Sequence, residues 1–238
     1  MDKAAKTYLI IPAGGSGKRL NAPIPKQFLE INGIPIIIHT LLKFDILAEN
    51  VNNSTSINTI NKVIIAVNPD WIDFLEEKIS EYSIKTPICF VPNGAERQDS
   101  VYNALKSSHC SDADYVLIHD AVRPNISKEL IERIITEVKQ YDGVIPVIPA
   151  KDTIKMIDEN GIVSQTLERS KLVLVQTPQA FGYQKLLRAF EVALASGKVF
   201  TDDASIAEFN GLSVKTIPGE EGNIKITTQE DLKIEISD

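Results

Sequence analysis

"IIPAGGSGKRL", residues 10–20, sets an apolar run against a glycine-rich turn and a Lys-Arg pair. With Tyr8 and Leu9 before it, the run is nearly continuous in large apolar residues, the pattern of a strand buried on both faces. Runs of the same kind recur at 63–67, 87–91, 115–118 and 144–148. Helical patterns fall between and after them. Ile131, Ile134, Ile135 and Val138 recur at i, i+3, i+4 and i+7, and Ile72, Leu75 and Ile79 recur similarly. Over 184–194, Leu186, Phe190, Ala193 and Leu194 share one face. This alternation predicts an α/β fold, a Rossmann-like, mainly parallel sheet with helices on both faces.

Residues 149–176 break the rhythm. Short strand-like pieces at 153–157, 161–166 and 172–175 follow one another with no helix between them, and "DENG" is a hairpin signal. The expectation is one domain over 1–238 from which 149–176 extends as an antiparallel β-arm. A last short helix is expected near Thr227 or Thr228, each with an acid three residues on. The Asn-, Ser- and Thr-rich stretch 50–61 reads as an exposed loop.

A net charge of −7 argues against a general nucleic-acid binder. Yet residues 3–29 carry five basic side chains (Lys3, Lys6, Lys18, Arg19, Lys26) and no acid, a positive island in an acidic protein. Cys89 and Cys110 have no metal or disulfide spacing, and Cys89 reads as a small core residue. No apolar stretch reaches membrane-spanning length and no leader pattern is visible, so a soluble, cytoplasmic protein is expected.

The glycine turn leaves the first strand at its carboxyl end, where open α/β sheets bind ligands. A Walker A loop would need Gly at Pro12 and Ser or Thr at Arg19. A dinucleotide fingerprint from Gly15 lacks its third glycine, which weighs against a nicotinamide oxidoreductase. A nucleophile elbow fails at Lys18. Successive glycines still let backbone N–H groups converge on an anion, and Lys18, Arg19 and Lys26 add full charges, enough for a triphosphate. "PKQF" reads either as part of that site or as an ordinary turn into the next strand.

"PAGGSGKRL" with "PKQFLEINGIPIIIHTL" resembles the opening of nucleotidylyltransferases that activate sugar and polyol phosphates. "GAERQDSVYNAL" (94–105), "IHDAVRP" (118–124), "DTIK" (152–155), "LERS" (167–170), "QTPQAF" (176–181), "TDDAS" (201–205) and "NIKIT" (223–227) follow in order. The ordered set resembles the 2-C-methyl-D-erythritol 4-phosphate cytidylyltransferases, a polyol-phosphate cytidylyltransferase family. The ribitol-5-phosphate cytidylyltransferases share most of these motifs, while "PVIPAKDTIK" and "TLERSKLVLVQTPQAF" look closer to the erythritol enzymes. A module that binds nucleotide without turnover is the alternative outside the enzymes.

The resemblance implies CTP and a polyol phosphate as substrates, Mg²⁺ as cofactor, and a homodimer through the arm. It implies Arg19, Lys26, Arg169 and Lys225 as catalytic cations. Pro12, Ala13, Gly14, Gly15, Ser16, Gly17 and Lys18 would wrap the triphosphate. Gly94, Ala95 and Ser100 would meet the cytosine, and Arg97, Asp120 and Ala121 would complete the CTP site. Arg97 has a plainer reading as a surface cation at a helix start, and Asp120 as a cap. Asp120 is also the implied metal contact, with Mg²⁺ held mainly by the CTP phosphates. Arg123, Thr153, Arg169 and Thr201 would take the polyol phosphate, and Thr177 would shape the pocket. Relatives often carry an acid directly before the "NIK" asparagine. Here Gly222 stands there, with Glu220 and Glu221 upstream, and their role stays open. A phosphate nucleophile needs no general base, so His39, His109 and His119 are expected to be structural or peripheral.

Overall fold

Strands built from runs apolar on both faces need cover on both faces, and helices supply it. The structure is a computed structural model describing residues 5–15, 24–48 and 59–236. The chain begins with β1 (Thr7–Pro12), the short pair β2 (Glu30–Ile31) and β3 (Ile34–Pro35), and α1 (Ile36–Asp45). It continues through β4 (Lys62–Val67), α2 (Ile72–Glu81), β5 (Ile88–Pro92), α3 (Arg97–Leu105), β6 (Tyr115–Ile118) and α4 (Lys128–Glu137). Then come β7 (Gly143–Pro149), β8 (Lys155–Ile157), β9 (Val163–Thr166), β10 (Val173–Val175) and β11 (Gln179–Gly182). The chain closes with α5 (Tyr183–Ala195), α6 (Asp203–Phe209) and β12 (Val214–Pro218).

The main sheet runs β10-β7-β11-β6-β1-β4-β5, with β12 also on β7. β4 and β6 pair parallel to β1, β5 parallel to β4, and β12 parallel to β7. β11 lies antiparallel between β6 and β7. The sheet is therefore mixed but mostly parallel, as expected. Leu9 and Ile11 join one core with α1 and α4, while Tyr8 and Ile10 join a second with α3, α5 and α6. This alternation places helices on both faces. The chain runs from β1 to β4 and β5 on one side, then crosses to β6 on the other. The carboxyl end of β1 is thus the switch point, where such sheets bind ligands.

Several expectations need correction. β8 and β9 do form a hairpin apart from the main sheet, with Gly161 in the left-handed region (φ +80) at its turn. The third piece of the arm does not leave the sheet, because β10 pairs antiparallel with β7, Leu174 opposite Ile148. A one-turn 3-10 helix, Arg169–Lys171, precedes it. Thr228 and Asp231 exchange the expected side-chain to N–H bonds at 2.8 and 3.3 Å, but the helix they start is a single 3-10 turn, Asp231–Lys233. Cys89 is half-buried and only Cys110 lies in the core. The positive island is also divided. Lys6 pairs with Asp112 at the amino end of β1, about 20 Å from the carboxyl end at strand rise. Of the loop 50–61, residues 50–58 lie outside the described residues.

Candidate active site

The site is built where β1 ends. Ala13 N–H donates to the Ala66 carbonyl of β4 at 2.7 Å, which fixes where the glycine turn begins. Gln27 is 3% exposed in the 3-10 turn Lys26–Phe28, and its Nε2 donates to the carbonyls of Ala13 (2.5 Å) and Gly15 (3.2 Å). Two oxygens that would repel an anion are thereby occupied. Lys26 Nζ donates to the Ile226 carbonyl at 2.9 Å, tying this turn to the C-terminal segment. "PKQF" is thus both a turn into β2 and part of the site. Ser16, Gly17, Lys18 and Arg19 lie outside the described residues.

The second wall is the loop from β5 into α3. A capping box between Glu96 and Asp99 starts the helix. Gly94 N–H donates to Ser100 Oγ at 3.0 Å, and that hydroxyl donates to the Glu96 carbonyl at 3.1 Å. Between the walls lies a cleft of about 540 Å³, reached by Pro12, Gly14, Gly15, Lys26, Gly94, Ala95, Ser100, Ala121 and the trio Arg97, Asp120 and Lys225. A smaller cavity of about 150 Å³ adjoins it, lined by Arg123, Thr177, Thr201 and the same trio. The two hollows share that wall. A cleft of similar volume, about 550 Å³, lies at the amino end of β6 beside Asp114 and Tyr115, away from these groups.

Charge at the shared wall is dense. Asp120, just past β6, meets Lys225 Nζ at 2.9 Å, Arg123 Nε at 3.3 Å and Arg97 Nε at 3.5 Å. Arg97 also forks onto Asp203, at 3.0 and 2.8 Å. Burial opposes ionisation of Asp120, but the charges of Arg97, Lys225 and Arg123 outweigh it and hold the carboxyl far below the usual range. Burial raises the Asp203 carboxyl, with Arg97 pulling the other way. Burial also lowers Arg123, and Asp120 opposes that shift. Arg97 is therefore no lone surface cation, and Asp120 is not a helix cap. Three cations meet two carboxylates here, Asp120 and Asp203, and the cation left in excess suits the wall to an anion.

Behind the wall, Asp120 N–H donates to Thr177 Oγ1 (3.1 Å), which lies 3.0 Å from His119 Nδ1. His119 Nε2 faces the Arg123 carbonyl at 3.1 Å, so Nε2 carries the proton and Nδ1 accepts from the threonine. Burial pushes this imidazole down to about 4. His39 is likewise buried against the Ile31 carbonyl, and His109 is exposed. None of the three histidines lines the cleft or its small neighbour.

Glu220 and Glu221 also find places. Glu220 accepts from Ser127 N–H (3.2 Å) and from the Ser127 hydroxyl, bracing the N-cap of α4, and Glu221 pairs with Lys151 at 2.5 Å. Two expected residues stand apart. Thr153 is exposed, and Arg169 donates to the Lys151 carbonyl at 2.6 Å beside a different surface hollow. Neither lines the cleft or its small neighbour.

Gln27, Asp203 and Asn223 were not singled out by sequence. Asn223 is 0% exposed; its side chain donates to the Thr177 carbonyl at 2.9 Å and its carbonyl accepts from Arg123 at 2.7 Å. A signal for Asp203 existed: in "TDDAS", Asp202 caps α6 by accepting from Ser205 N–H, which leaves the adjacent acid unexplained.

Comparison with known proteins gives the family. The family model for 2-C-methyl-D-erythritol 4-phosphate cytidylyltransferase (IspD) matches residues 7–235. A Bacillus cereus protein of that name is 43% identical over 226 residues, covering 95% of this chain and 94% of its own. The crystal structure of 4-diphosphocytidyl-2C-methyl-D-erythritol synthase from Anaerococcus prevotii matches with a TM-score of 0.81 at 31% identity, covering 97% and 96% of the two chains. The Francisella tularensis enzyme of the family matches at 0.77 and 32%, covering 96% and 97%. On sequence, fold and the order of its motifs alike, the chain belongs to the 2-C-methyl-D-erythritol 4-phosphate cytidylyltransferase family.

Proposed function

We infer that the chain transfers CMP from CTP to 2-C-methyl-D-erythritol 4-phosphate, forming 4-diphosphocytidyl-2-C-methyl-D-erythritol and pyrophosphate. The observation that carries the reading is the pair of hollows sharing one wall, Arg97, Asp120 and Lys225. We assign the larger to CTP and the smaller to the polyol phosphate, so the two phosphates meet at the shared wall. An oxygen of the acceptor phosphate bonds to the α-phosphorus, and the bond to the bridging oxygen breaks, leaving pyrophosphate with the electron pair. The acceptor is already ionised near neutral pH, its second pKa being about 6. No base is required, in keeping with a buried, neutral His119. What the reaction needs is neutralisation of converging and developing charge.

We assign that work to Arg19, Lys26, Lys225 and, from a neighbouring chain, Arg169. The turn from Pro12 to Lys18 would wrap the triphosphate, and backbone groups of Gly94 and Ala95 would meet the cytosine. Arg123 and Thr201 would hold the polyol phosphate, with Thr153 of the neighbouring chain. The donor set does not fit a protein-held Mg²⁺, since Asp120 is ringed by cations and Glu220 and Glu221 are engaged elsewhere. Asp120, held by three cations, does not fit as a metal ligand. Mg²⁺ would arrive on the triphosphate, whose oxygens ligate it.

We propose one catalytic domain over 1–238, with 150–172, the part of the expected arm that lies outside the main sheet, as the dimerisation arm, working in the cytoplasm. Two free cysteines suit a reducing compartment. Among the described residues no helix is long and apolar enough to cross a membrane. The test offers CTP with methylerythritol phosphate or ribitol 5-phosphate and measures pyrophosphate. Release with the first alone is expected, release only with the second would overturn the acceptor, and failure with both, without pyrophosphate exchange into CTP, would indicate a binder.

A further inference from the structure

We propose that Asn93 is a specificity-determining positioning residue: it holds the Gly94 carbonyl toward the nucleobase and couples that loop to the triphosphate turn at Gly14. The proposal rests on the CTP site described above. Asn93 directly follows β5, and its backbone N–H donates to the Val67 carbonyl at 3.1 Å, so its base is fixed to the end of β4. Its Nδ2 donates to the Gly94 carbonyl at 2.8 Å. A carbonyl oxygen has two acceptor sites. With one taken by Asn93, the other points in a set direction, able to accept from the 4-amino group of cytosine and repelling the 4-oxo group of uracil.

The same side chain fills the space over the triphosphate turn. A Cβ on Gly14 would run into it, 2.6 Å from Asn93 Cγ and 2.7 Å from Nδ2. Glycine at position 14 is therefore what lets the asparagine sit there. Gly94 N–H is tied to Ser100, and Gly94 packs so tightly on Asp99 that a Cβ would not fit, so the loop is held on α3. The turn that would hold phosphates and the loop that would read the base thus touch through one side chain.

The test compares Kd for CTP and for UTP by calorimetry in the unmodified chain and in Asn93→Gly, Asn93→Asp, Gly14→Ala and the double variant Gly14→Ala/Asn93→Gly, with thermal melts confirming folding. Loss of the one hydrogen bond should lower the CTP-over-UTP ratio about tenfold in both Asn93 variants. Gly14→Ala should weaken both nucleotides, and adding Asn93→Gly should restore that loss by making room for the methyl group. An unchanged ratio in folded Asn93→Asp overturns the specificity role, because a merely structural asparagine would weaken both nucleotides equally. A double variant no better than Gly14→Ala overturns the coupling. Binding is read without turnover, so a chain that bound CTP but transferred no CMP would sink the proposed reaction alone, whereas one that bound neither nucleotide would sink both.

Discussion

Among single residues, Asp120 organises the site and Lys225 is the cation best placed to leave it for a substrate. The Lys225 side chain is 37% exposed against 11% for Arg123, so it loses least by turning to a phosphate. Lys225→Met should lower kcat about a hundredfold, the usual cost of removing one charge-stabilising group, while moving Tm by only a few degrees. Equal losses in both measurements would make Lys225 structural. His119 sets a different expectation. Its ordinary pKa of 6.5 is pushed down to about 4 by burial, so between these values the unfolded chain takes up a proton that the folded chain refuses. Stability is then complete above pH 6.5 and falls as pH drops toward 4, by up to about 3 kcal/mol. Denaturant titrations across this window should show the slope, and His119→Gln should flatten it. The contribution of Asp120, also depressed, is intact above its ordinary value of 3.8 and is lost only below it, outside the window. The charged residues were legible singly, because "HDAVRP" and "NIKIT" mark them. Their pairing was not: Arg97 and Asp203 lie 106 positions apart, and nothing local in a chain announces such a contact.

At the scale of elements, β1, β4 and β6 read as buried strands because both of their faces are covered, whereas β5 at the sheet edge is only half-buried despite its apolar run. Leu9, Ile10 and Ile11 are each 0% exposed, leaving no polar alternation to confuse the pattern. The elements that went unread lack such a signature. β11 is a four-residue strand containing Gln179 and Gly182, and β12 exposes Lys215 and Thr216. The helix α3 buries only Ser100, Val101, Ala104 and Leu105 and depends on its capping box. β10 reads as part of the arm because three apolar residues do not say which edge they join. Gln27 shows how an element without chemistry can serve the site, since its 3-10 turn aims the amide at the glycine turn. Gln27→Ala would leave the carbonyl of buried Ala13 without that donor, at a cost of about 1–3 kcal/mol. The turn should loosen. We expect KM for CTP to rise about tenfold with kcat changed less than about threefold. Steady-state titration of CTP at saturating acceptor reads both, and a kcat loss with KM unchanged would contradict the clamp.

For the whole molecule, the open matter is what the arm touches. The hairpin of β8 and β9 stands outside the main sheet and leaves Met156 49%, Ile157 62%, Ile162 65% and Val163 55% exposed. A two-stranded hairpin is marginal alone in water, and contiguous exposed apolar groups mark interaction surfaces. Leu174 on β10, opposite Ile148 at the edge of the main sheet, adds a further 50%-exposed apolar side chain. Within one chain, Thr153 and Arg169 line neither the cleft with Lys26 and Lys225 nor the small cavity that Lys225 shares with it. If these residues serve catalysis, they serve a neighbour. A C₂ dimer that exchanges arms would bring each Arg169 to the partner's shared wall and bury the apolar hairpin in the same step. The alternative is an arm that only packs on its own sheet, with each chain complete alone. Lys26→Ala and Arg169→Ala chains should each be inactive as homodimers. Mixed under conditions that allow exchange, half of the dimers would be hybrid, each with one doubly damaged and one intact site. Activity should then return to about a quarter of the unmodified level. Native mass spectrometry of the mixture shows whether hybrids have formed, and hybrids without activity would leave the shared site with no support.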